Sequence, residues 1–419
     1  MKKFLIVAVS ALLCICLAGP VMAKVQMGGM ITFDTYYINI NDANASGGVA
    51  PGTVAGSDSL NVTQMDLPLP LNRLNAKYTS DDGMIGGFIE VRGGGQNRGP
   101  GDTDTVWNYA WIDWRFNPNV YLRLGRQTQS FAIMAPKQAV GWNSRAGGPH
   151  LIMVGFGNIH GGSSRDSLRL YWKFNDMIRL EIQAMDPDSD PAGVSAANGV
   201  VTGPGVAAVA AGAVEDMAIP RFDMALPISV GNWVIEPSFT WLQTRYANIP
   251  AGSDDDFQIY GLAVGVSGGI GPVIIGGEFT YGQNLGGANH AGSSNWQPSA
   301  YLDGNGNARI EDTTGYAWWF HLGVKLGPAT IYGVVANQNT DNDGNPSAAS
   351  ISSGGTDALE WEYDRWAYGI SVPISVAKGF TIQPEFMYYD YDSSATRAGI
   401  DGVDMGSQWI LGVQWMLAF

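Results

Sequence analysis

The stretch at residues 409–419, WILGVQWMLAF, decides the fold class of this chain. Large apolar side chains occupy alternate positions along it, and a period of two is that of a β-strand. The alternation continues to the final residue, which favours a strand whose outer face meets lipid and whose aromatic end lies at a membrane surface. The residues on this face are Trp409, Leu411, Val413, Trp415, Leu417 and Phe419.

The first residues of the chain have the pattern of an export signal. Lys2 and Lys3 precede a long apolar run, which a Gly-Pro pair interrupts before a small-residue cleavage site. We therefore predict a cleaved signal peptide at residues 1–23 and a single barrel domain at residues 24–419. Both cysteines lie in the predicted signal peptide, so none remains in the mature chain for a disulfide or a metal.

The composition fits a membrane protein without membrane-spanning helices. Hydrophobic residues make up 45% of the chain and charged residues 15%, yet no segment after the signal has ~18 consecutive apolar residues. A closed β-barrel is the other structure that satisfies every backbone hydrogen bond within lipid. Removing Lys2 and Lys3 from the 23 basic residues leaves 21 against 38 acidic ones, a formal net charge of −17, which argues against nucleic acid as a partner.

Period-two runs and the turn residues between them predict an all-β fold, an antiparallel up-and-down barrel of sixteen strands. Short turns alternate with long connections, and both ends of the mature chain lie on the short-turn side. This asymmetry is typical of transmembrane β-barrels, and sixteen strands leave an aqueous channel in place of a filled core. A miscount by one hairpin gives fourteen or eighteen strands. The competing fold is a soluble β-sandwich or propeller.

The final strand resembles the C-terminal signature of bacterial outer-membrane β-barrels, which the assembly machinery reads; Trp415, Leu417 and Phe419 carry it here. Over residues 24–419 the chain resembles the Gram-negative porins of the general-diffusion type. The resemblance implies a homotrimer in the outer membrane, with lipid, lipopolysaccharide and the β-barrel assembly machinery as partners and without a cofactor. It also implies a water-filled channel for the passive diffusion of small hydrophilic solutes and ions.

The residues opposite the apolar face of each strand are predicted to line the lumen. In the second strand, for example, Leu74 faces out and its neighbours face in. Basic residues dominate the first half of this lining, which predicts a transverse electric field; the alternative is that the charges only pair with one another. The predicted pore-lining residues on strands are Arg73, Lys77, Glu90, Arg92, Asp113, Arg115, Arg123, Arg169, Lys173, Arg179 and Glu181.

The second half of the predicted lining is richer in acid than the first. Its inward positions include Glu236, Glu278 and Glu385, with His321, Lys325 and Arg365 of the opposite sign.

The connection at residues 132–163 is the candidate pore-constricting loop, because in porins the third long connection folds back into the barrel. It contains Lys137 and Arg145, which complete the predicted pore lining, and no Asp or Glu. Porins of the general-diffusion type place acids on this loop, so their cation preference is not carried over. We predict a weak preference for anions. The alternative is an ordinary external loop.

Two other function classes fit the same barrel. One is the sheath of an electron conduit, in which a partner cytochrome would bring the haem because this chain has no CxxCH motif. The other is a surface receptor or adhesin that acts through acidic external loops. Enzymatic activity is not predicted, since none of the four histidines lies near a Ser and an Asp in a nucleophile motif. No metal site is predicted either, because Ala308 and Thr314 replace the Gly and Glu of a calcium loop.

Overall fold

The structure is a computed structural model. It describes residues 24–41, 59–66, 72–93, 105–134, 165–185, 194–195, 200–201, 214–215, 219–247, 251–252, 254–288, 296, 298–302, 308–343, 360–396 and 407–419.

Sixteen antiparallel strands form one closed sheet, as predicted. Three of them run in two pieces. The strands are β1 Lys24–Asn41, β2 Ser59–Asp66 with Arg73–Thr79, β3 Ile85–Gly93, β4 Thr105–Asn117, β5 Val120–Gln127, β6 Arg165–Lys173, β7 Arg179–Met185, β8 Arg221–Ala225 with Ile228–Val230, β9 Trp233–Ala247, β10 Asp256–Ile270, β11 Val273–Gln283, β12 Thr313–Leu326, β13 Ala329–Asp343, β14 Glu360–Ser371 with Ile374–Ala377, β15 Phe380–Thr396 and β16 Ser407–Ala418.

A few short elements lie outside these strands. Leu285–Ala288 forms a 3-10 turn, and no helix among the described residues is long and apolar enough to cross a membrane. The remaining pairings join Val194–Ser195 to Val200–Val201, Ser299–Leu302 to Ala308–Glu311, and Val214–Glu215 to the end of β9.

The sheet closes where β1 meets β16. Their register runs from Met30 opposite Ala418 to Asn41 opposite Ser407. Beyond it, the backbone N–H of Gly29 donates to the Phe419 carbonyl at 2.9 Å, and the Phe419 N–H donates to the Gly29 carbonyl at 3.1 Å. Closure leaves the barrel without an unpaired edge strand.

The alternation read from the sequence matches the two faces of the wall. In β16, Leu411 and Trp415 are exposed on the outer face, while Ile410 and Gln408 are buried on the inner face. Phe419 also lies on the outer face and is 63% exposed. An outer face rich in exposed apolar side chains is what a barrel in lipid requires.

Several strands begin or end at other residues than predicted. The polar residues after β1 predict one long connection, but Ser59–Asp66 within it forms the first piece of β2. Alternation predicts that β13 ends at residue 338, but the strand continues to Asp343. The β13 extension has only polar residues and so carries no alternation, while Leu60, Val62 and Met65 of the first piece of β2 do not keep to one parity; both backbones still pair. Alternation predicts that β5 reaches residue 131. This is wrong, because the strand is shorter and ends at Gln127.

Two short turns are built by the same device. The side-chain oxygen of Asn117 accepts hydrogen bonds from the backbone N–H groups of Asn119 and Val120, at 2.8 and 3.0 Å. Asn175 accepts from Met177 and Ile178 at 2.8 and 2.9 Å. An Asn side chain that binds the backbone two residues on reproduces a turn of the main chain, which is why this residue type reverses the strand here.

Candidate functional site: the barrel lumen

The inner face of β4 to β6 carries arginines that are held by an acid of the wall. Arg123 and Asp113 lie on neighbouring strands and form a bidentate pair, with Nε 2.7 Å from Oδ1 and Nη2 3.0 Å from Oδ2. Arg115 Nη2 lies 3.9 Å from the same carboxylate. Two guanidinium groups therefore share one acid, and this part of the wall keeps a positive charge in excess.

A second acid serves two arginines in the same way. Arg169 Nη1 donates to Glu181 Oε2 at 3.2 Å, and Arg179 Nη2 lies 2.7 Å from Glu181 Oε1. On β2 and β3, Arg73 Nη1 donates to Glu90 Oε1 at 3.3 Å. The pairing alternative raised by the sequence therefore holds for each acid of this wall, but the arginines outnumber the acids.

One arginine beside each shared acid is exposed in the lumen, while the acid stays buried in the wall. The Arg115 side chain is 41% exposed and that of Asp113 is 4% exposed. The corresponding values are 45% for Arg179 and 4% for Glu181. A guanidinium group has five N–H donors, so it can hold its acid and still hydrogen-bond to water. A solute in the lumen therefore meets positive charge first.

Aromatic side chains hold the guanidinium groups in place. The Arg123 guanidinium carbon lies 3.5 Å from the ring centroid of Trp111 and 5.2 Å from that of Tyr171. Tyr171 stacks on Tyr121, with 4.3 Å between centroids, and Arg115 lies over Tyr121 at 4.8 Å. Cation–π contacts of this kind restrict the guanidinium group to one position along the wall.

The other predicted lining residues that the structure describes are Lys77, Arg92 and Lys173. Lys77 is exposed on the second piece of β2, and Arg92 is half-buried on β3. Lys173 Nζ lies 2.6 Å from Asp176 Oδ1 in the turn between β6 and β7, so its charge is engaged at the end of the barrel.

Residues 128–134 leave the sheet after β5 and run inside the barrel along its inner wall. Their backbone N–H groups donate to side chains on the inner faces of β8, β9 and β11. Arg169 and Gln183 bind the Thr128 carbonyl at the start of the segment. The backbone contacts in chain order are Ser130 N to Asp223 Oδ2 at 3.2 Å, Ala132 N to Ser238 Oγ at 3.1 Å and Met134 N to Glu278 Oε2 at 3.3 Å.

The carboxylates on these strands are buried with the segment. Glu181, Asp223, Glu236 and Glu278 are between 1% and 5% exposed. Buried backbone N–H groups need a hydrogen-bond acceptor, and a carboxylate can supply one where no neighbouring strand does. Asp223 and Glu278, two of the acids that parity places in the lumen, therefore anchor this segment.

An apolar cluster surrounds the same segment inside the barrel. Phe131 packs with Trp296, Leu285 and inward residues of β9, β10 and β12. We call this the Phe131 cluster; its members are Phe131, Ala132, Leu242, Phe257, Ile259, Ala263, Leu285, Trp296 and Ala317, with Ile310 packed against it.

The inner face of β12 to β15 holds the remaining predicted charges. His321 lies between two aromatic rings, with centroids 5.4 and 5.2 Å away, and is buried. Arg365 and Glu385 are buried as well, while Lys325 is exposed at the end of β12. Accessible positive charge is thus found mainly on the β2 to β7 side of the described wall.

Two groups of predicted residues stand apart from this lining. Lys137 and Arg145 lie outside the described residues. Trp415, Leu417 and Phe419, the predicted assembly signal, are exposed on the outer face of the barrel end.

The described ranges hold no group of three or more His, Cys, Asp or Glu side chains that could bind a metal ion.

The aromatic part of the lining was not predicted. Trp111 has the same parity as Asp113, and Tyr121 has the same parity as Arg123. That parity places both rings inside. Phe131 was likewise taken as a strand residue, because an apolar side chain satisfies the period whether it meets lipid or the interior.

Comparison with known proteins supports the fold without a sequence relationship. No sequence-family model matches the chain, and curated proteins give no significant match. The outer membrane channel DcaP of Acinetobacter baumannii is similar in structure, with a TM-score of 0.64, 17% identity, and 95% of this chain and 97% of that chain covered.

Two further solved structures are similar to this chain. OmpT of Vibrio cholerae has a TM-score of 0.53 and 10% identity, with 95% of this chain and 98% of that chain covered. OmpF of Salmonella typhi, in complex with daunomycin, has a TM-score of 0.51 and 11% identity, with coverage of 94% and 98%. The sixteen-stranded closed barrel, its lumen charges and these likenesses together give the chain the fold of the outer-membrane porins.

Proposed function

We propose that this chain is a porin of the Gram-negative outer membrane that lets small hydrophilic solutes and ions diffuse passively and weakly prefers anions. The observation that carries the anion preference is the unequal exposure of the lumen ion pairs. Arg115 and Arg179 expose about ten times the fraction of side chain that their acids do. Selectivity is set by the charged groups that a solute contacts, so a net charge of the whole chain does not decide it.

The acidic residues outside this wall act over a short range. At ~0.15 M salt the Debye length is about 8 Å, so carboxylates at an outer mouth are screened from the narrow part of the pore. Glu236 and Glu278 lie inside the barrel but are buried, which further lowers their contact with a permeating ion.

The constriction is proposed to involve the connection at residues 132–163. Its first residues already bind side chains on β9 and β11, which supports a loop that folds inward. Lys137 and Arg145 would then add positive charge at the narrowest point. The same proposal includes assembly as a homotrimer and export through the signal at residues 1–23. It also includes contact with lipopolysaccharide and the assembly machinery.

Reversal potentials in a KCl gradient across a planar bilayer test the ion preference. We expect a weak preference for chloride in the unmodified protein, and a smaller one in Arg115→Ala, Arg179→Ala and Arg145→Ala, because each removes a cation from the proposed pathway. Arg245→Ala is the matched control. Its side chain is 59% exposed and pairs with Asp255 near the end of β9, on the outer face, so the reversal potential should not change.

Two results would contradict the proposal. Preference for potassium in the unmodified protein would show that acids, and not the arginine wall, govern permeation. Insertion without any current would exclude a channel.

A further inference from the structure

Two separate segments of the chain enter the barrel and meet there. One is residues 128–134 after β5, and the other follows β11 and includes Leu285 and Trp296. Phe131, Leu285 and Trp296 are each 0% exposed. Side chains of this size are buried completely only where they are packed on all sides, so the two segments pack at these residues against β9, β10 and β12.

The inner face of β10 has a recess that receives both segments. A Cβ atom built on Gly261 would lie 2.7 Å from Phe131 Cζ and 2.9 Å from Leu285 Cδ2. One built on Gly265 would lie 2.6 Å from Met134 Sδ. These distances are shorter than van der Waals contact, so the wall is adapted to the segments at these positions.

Polar contacts fix the second segment independently of the apolar ones. Asn284 donates through Nδ2 to the Gln258 carbonyl at 2.9 Å and to Asp312 Oδ1 at 2.6 Å, and its Oδ1 accepts from Thr313 N at 2.8 Å. Trp296 Nε1 donates to the Gly282 carbonyl at 3.3 Å. The segment is thereby tied to β10, β11 and β12 at once.

One residue of each segment has a left-handed backbone conformation. Ala132 has φ of 48° and Asn284 has φ of 56°, and they are the two non-glycine residues of the described chain in this left-handed region. L-residues seldom adopt it unless the surroundings impose it. Both therefore mark places where packing determines the path of the chain.

We propose that the Phe131 cluster is a latch that locks the two segments together, so that two connections and not one determine the width of the pore. The proposal rests on the proposed channel function and names further residues that determine its selectivity. The latched segments cover the inner face of β9 to β11 and its buried carboxylates. The open path then runs along the arginine wall of β2 to β7, and every permeating solute passes that wall.

Single-channel conductance and the size cut-off for polyethylene glycols test the latch. We expect Phe131→Ala and Trp296→Ala each to raise both quantities, because each frees the segments from the wall. The double variant should not exceed the larger single effect, since one latch is opened either way. The preference for chloride should also fall in these variants, because Glu236 and Glu278 become accessible to ions.

A smaller substitution guards against variants that fail to fold. Gly261→Ala displaces Phe131 without removing it and should raise conductance, while Gly333→Ala, whose added Cβ meets nothing within 4 Å, should not. Heat-dependent electrophoretic mobility reports whether each barrel is folded.

The possible results distinguish a failure of the latch from a failure of the channel function on which it rests. Unchanged conductance and size cut-off in folded Phe131→Ala, Trp296→Ala and Gly261→Ala would overturn the latch while leaving the channel intact. Additive effects in the double variant would overturn the locking of one segment to the other. Absence of current in the unmodified protein would overturn the channel itself.

Discussion

At the scale of single residues, the lumen wall buries the acids Asp113 and Glu181 and exposes one arginine beside each of them. The carboxylate of Asp113 is held by Arg123 through two hydrogen bonds, which compensate its burial. The guanidinium group is more weakly hydrated than an ammonium group and can stack on Trp111 while it holds the acid. A lysine has no planar fork and no such stacking face, so arginine is the residue that suits this wall.

The turn between β2 and β3 provides a pH-dependent prediction at the same scale. Asp82 Oδ1 accepts hydrogen bonds from Ser80 Oγ at 2.6 Å and from the Met84 N–H at 2.9 Å, and these lower the pKa of the Asp82 carboxyl from its ordinary value of 3.8. Because the folded pKa is lower than the unfolded one, the turn is stabilised above about pH 4, and this contribution is lost as pH falls through the folded pKa. Ser80→Ala should raise the Asp82 pKa toward 3.8, as measured by NMR titration of the carboxyl carbon.

Asp176 is the internal control for that titration. Its pKa is lowered by a hydrogen bond from Lys173 and by the charge of Lys173, in a different turn. It should titrate unchanged in Ser80→Ala. An Asp82 pKa that stays low in this variant would show that the hydroxyl is not the cause.

At the scale of the elements, membrane and water impose different rules on one strand. Within lipid the outer face must be apolar, and this made the sixteen strands predictable from alternation alone. Outside lipid the outer face no longer has to be apolar, so β13 continues through Asn339 and Asp341 with no alternation to reveal it. The first piece of β2 is missed for a related reason, because its apolar residues Leu60, Val62 and Met65 do not share one parity. Hydrogen bonding between backbones continues past the point where side-chain patterning stops.

The turn at Asn175 gives a prediction at the scale of elements. Asn175→Ala removes the acceptor of two backbone N–H groups and should lower the free energy of unfolding by about 1 kcal/mol, from the net value of such hydrogen bonds at an exposed turn. Asn175→Asp keeps the acceptor oxygens and should be close to the unmodified protein. Urea unfolding in detergent micelles measures both. Equal losses in the two variants would show that the side-chain oxygen does not hold the turn.

At the scale of the whole molecule, local patterns predict the wall and not its contents. The contacts of residues 128–134 join positions that are 93, 106 and 144 residues apart in the chain. No spacing along the sequence encodes such a meeting. The inward path of Phe131 depends on Gly261, which on its own resembles any glycine in a strand. The parity of a strand predicts which charged residues line the barrel. It does not predict that residues 128–134 bind Asp223 and Glu278, because that contact joins distant parts of the chain.

The Phe419 side chain is expected to contribute to assembly of the barrel and little to its stability. The Phe419 ring is exposed on the outer face, and the contacts that close the barrel there are made by its backbone. Phe419→Ala should therefore reduce the amount of barrel assembled in cells, while the free energy of unfolding of refolded protein changes by less than about 1 kcal/mol. Leu411→Ala, which removes an exposed side chain from the same face of β16, should assemble normally. Equal assembly of the two variants would show that Phe419 carries no signal.

The pairing of β1 with β16 also has a consequence in time. The Thr35 hydroxyl donates to the Val413 carbonyl, across 378 positions of the chain. Contacts between such distant residues form slowly, because the intervening chain must be ordered first. Until the last strand has been synthesised and delivered, β1 has no partner on one side and its apolar residues are exposed to aggregation. A chain with this topology needs protection by a holding chaperone throughout its passage to the membrane, and rapid synthesis without that protection should yield insoluble protein.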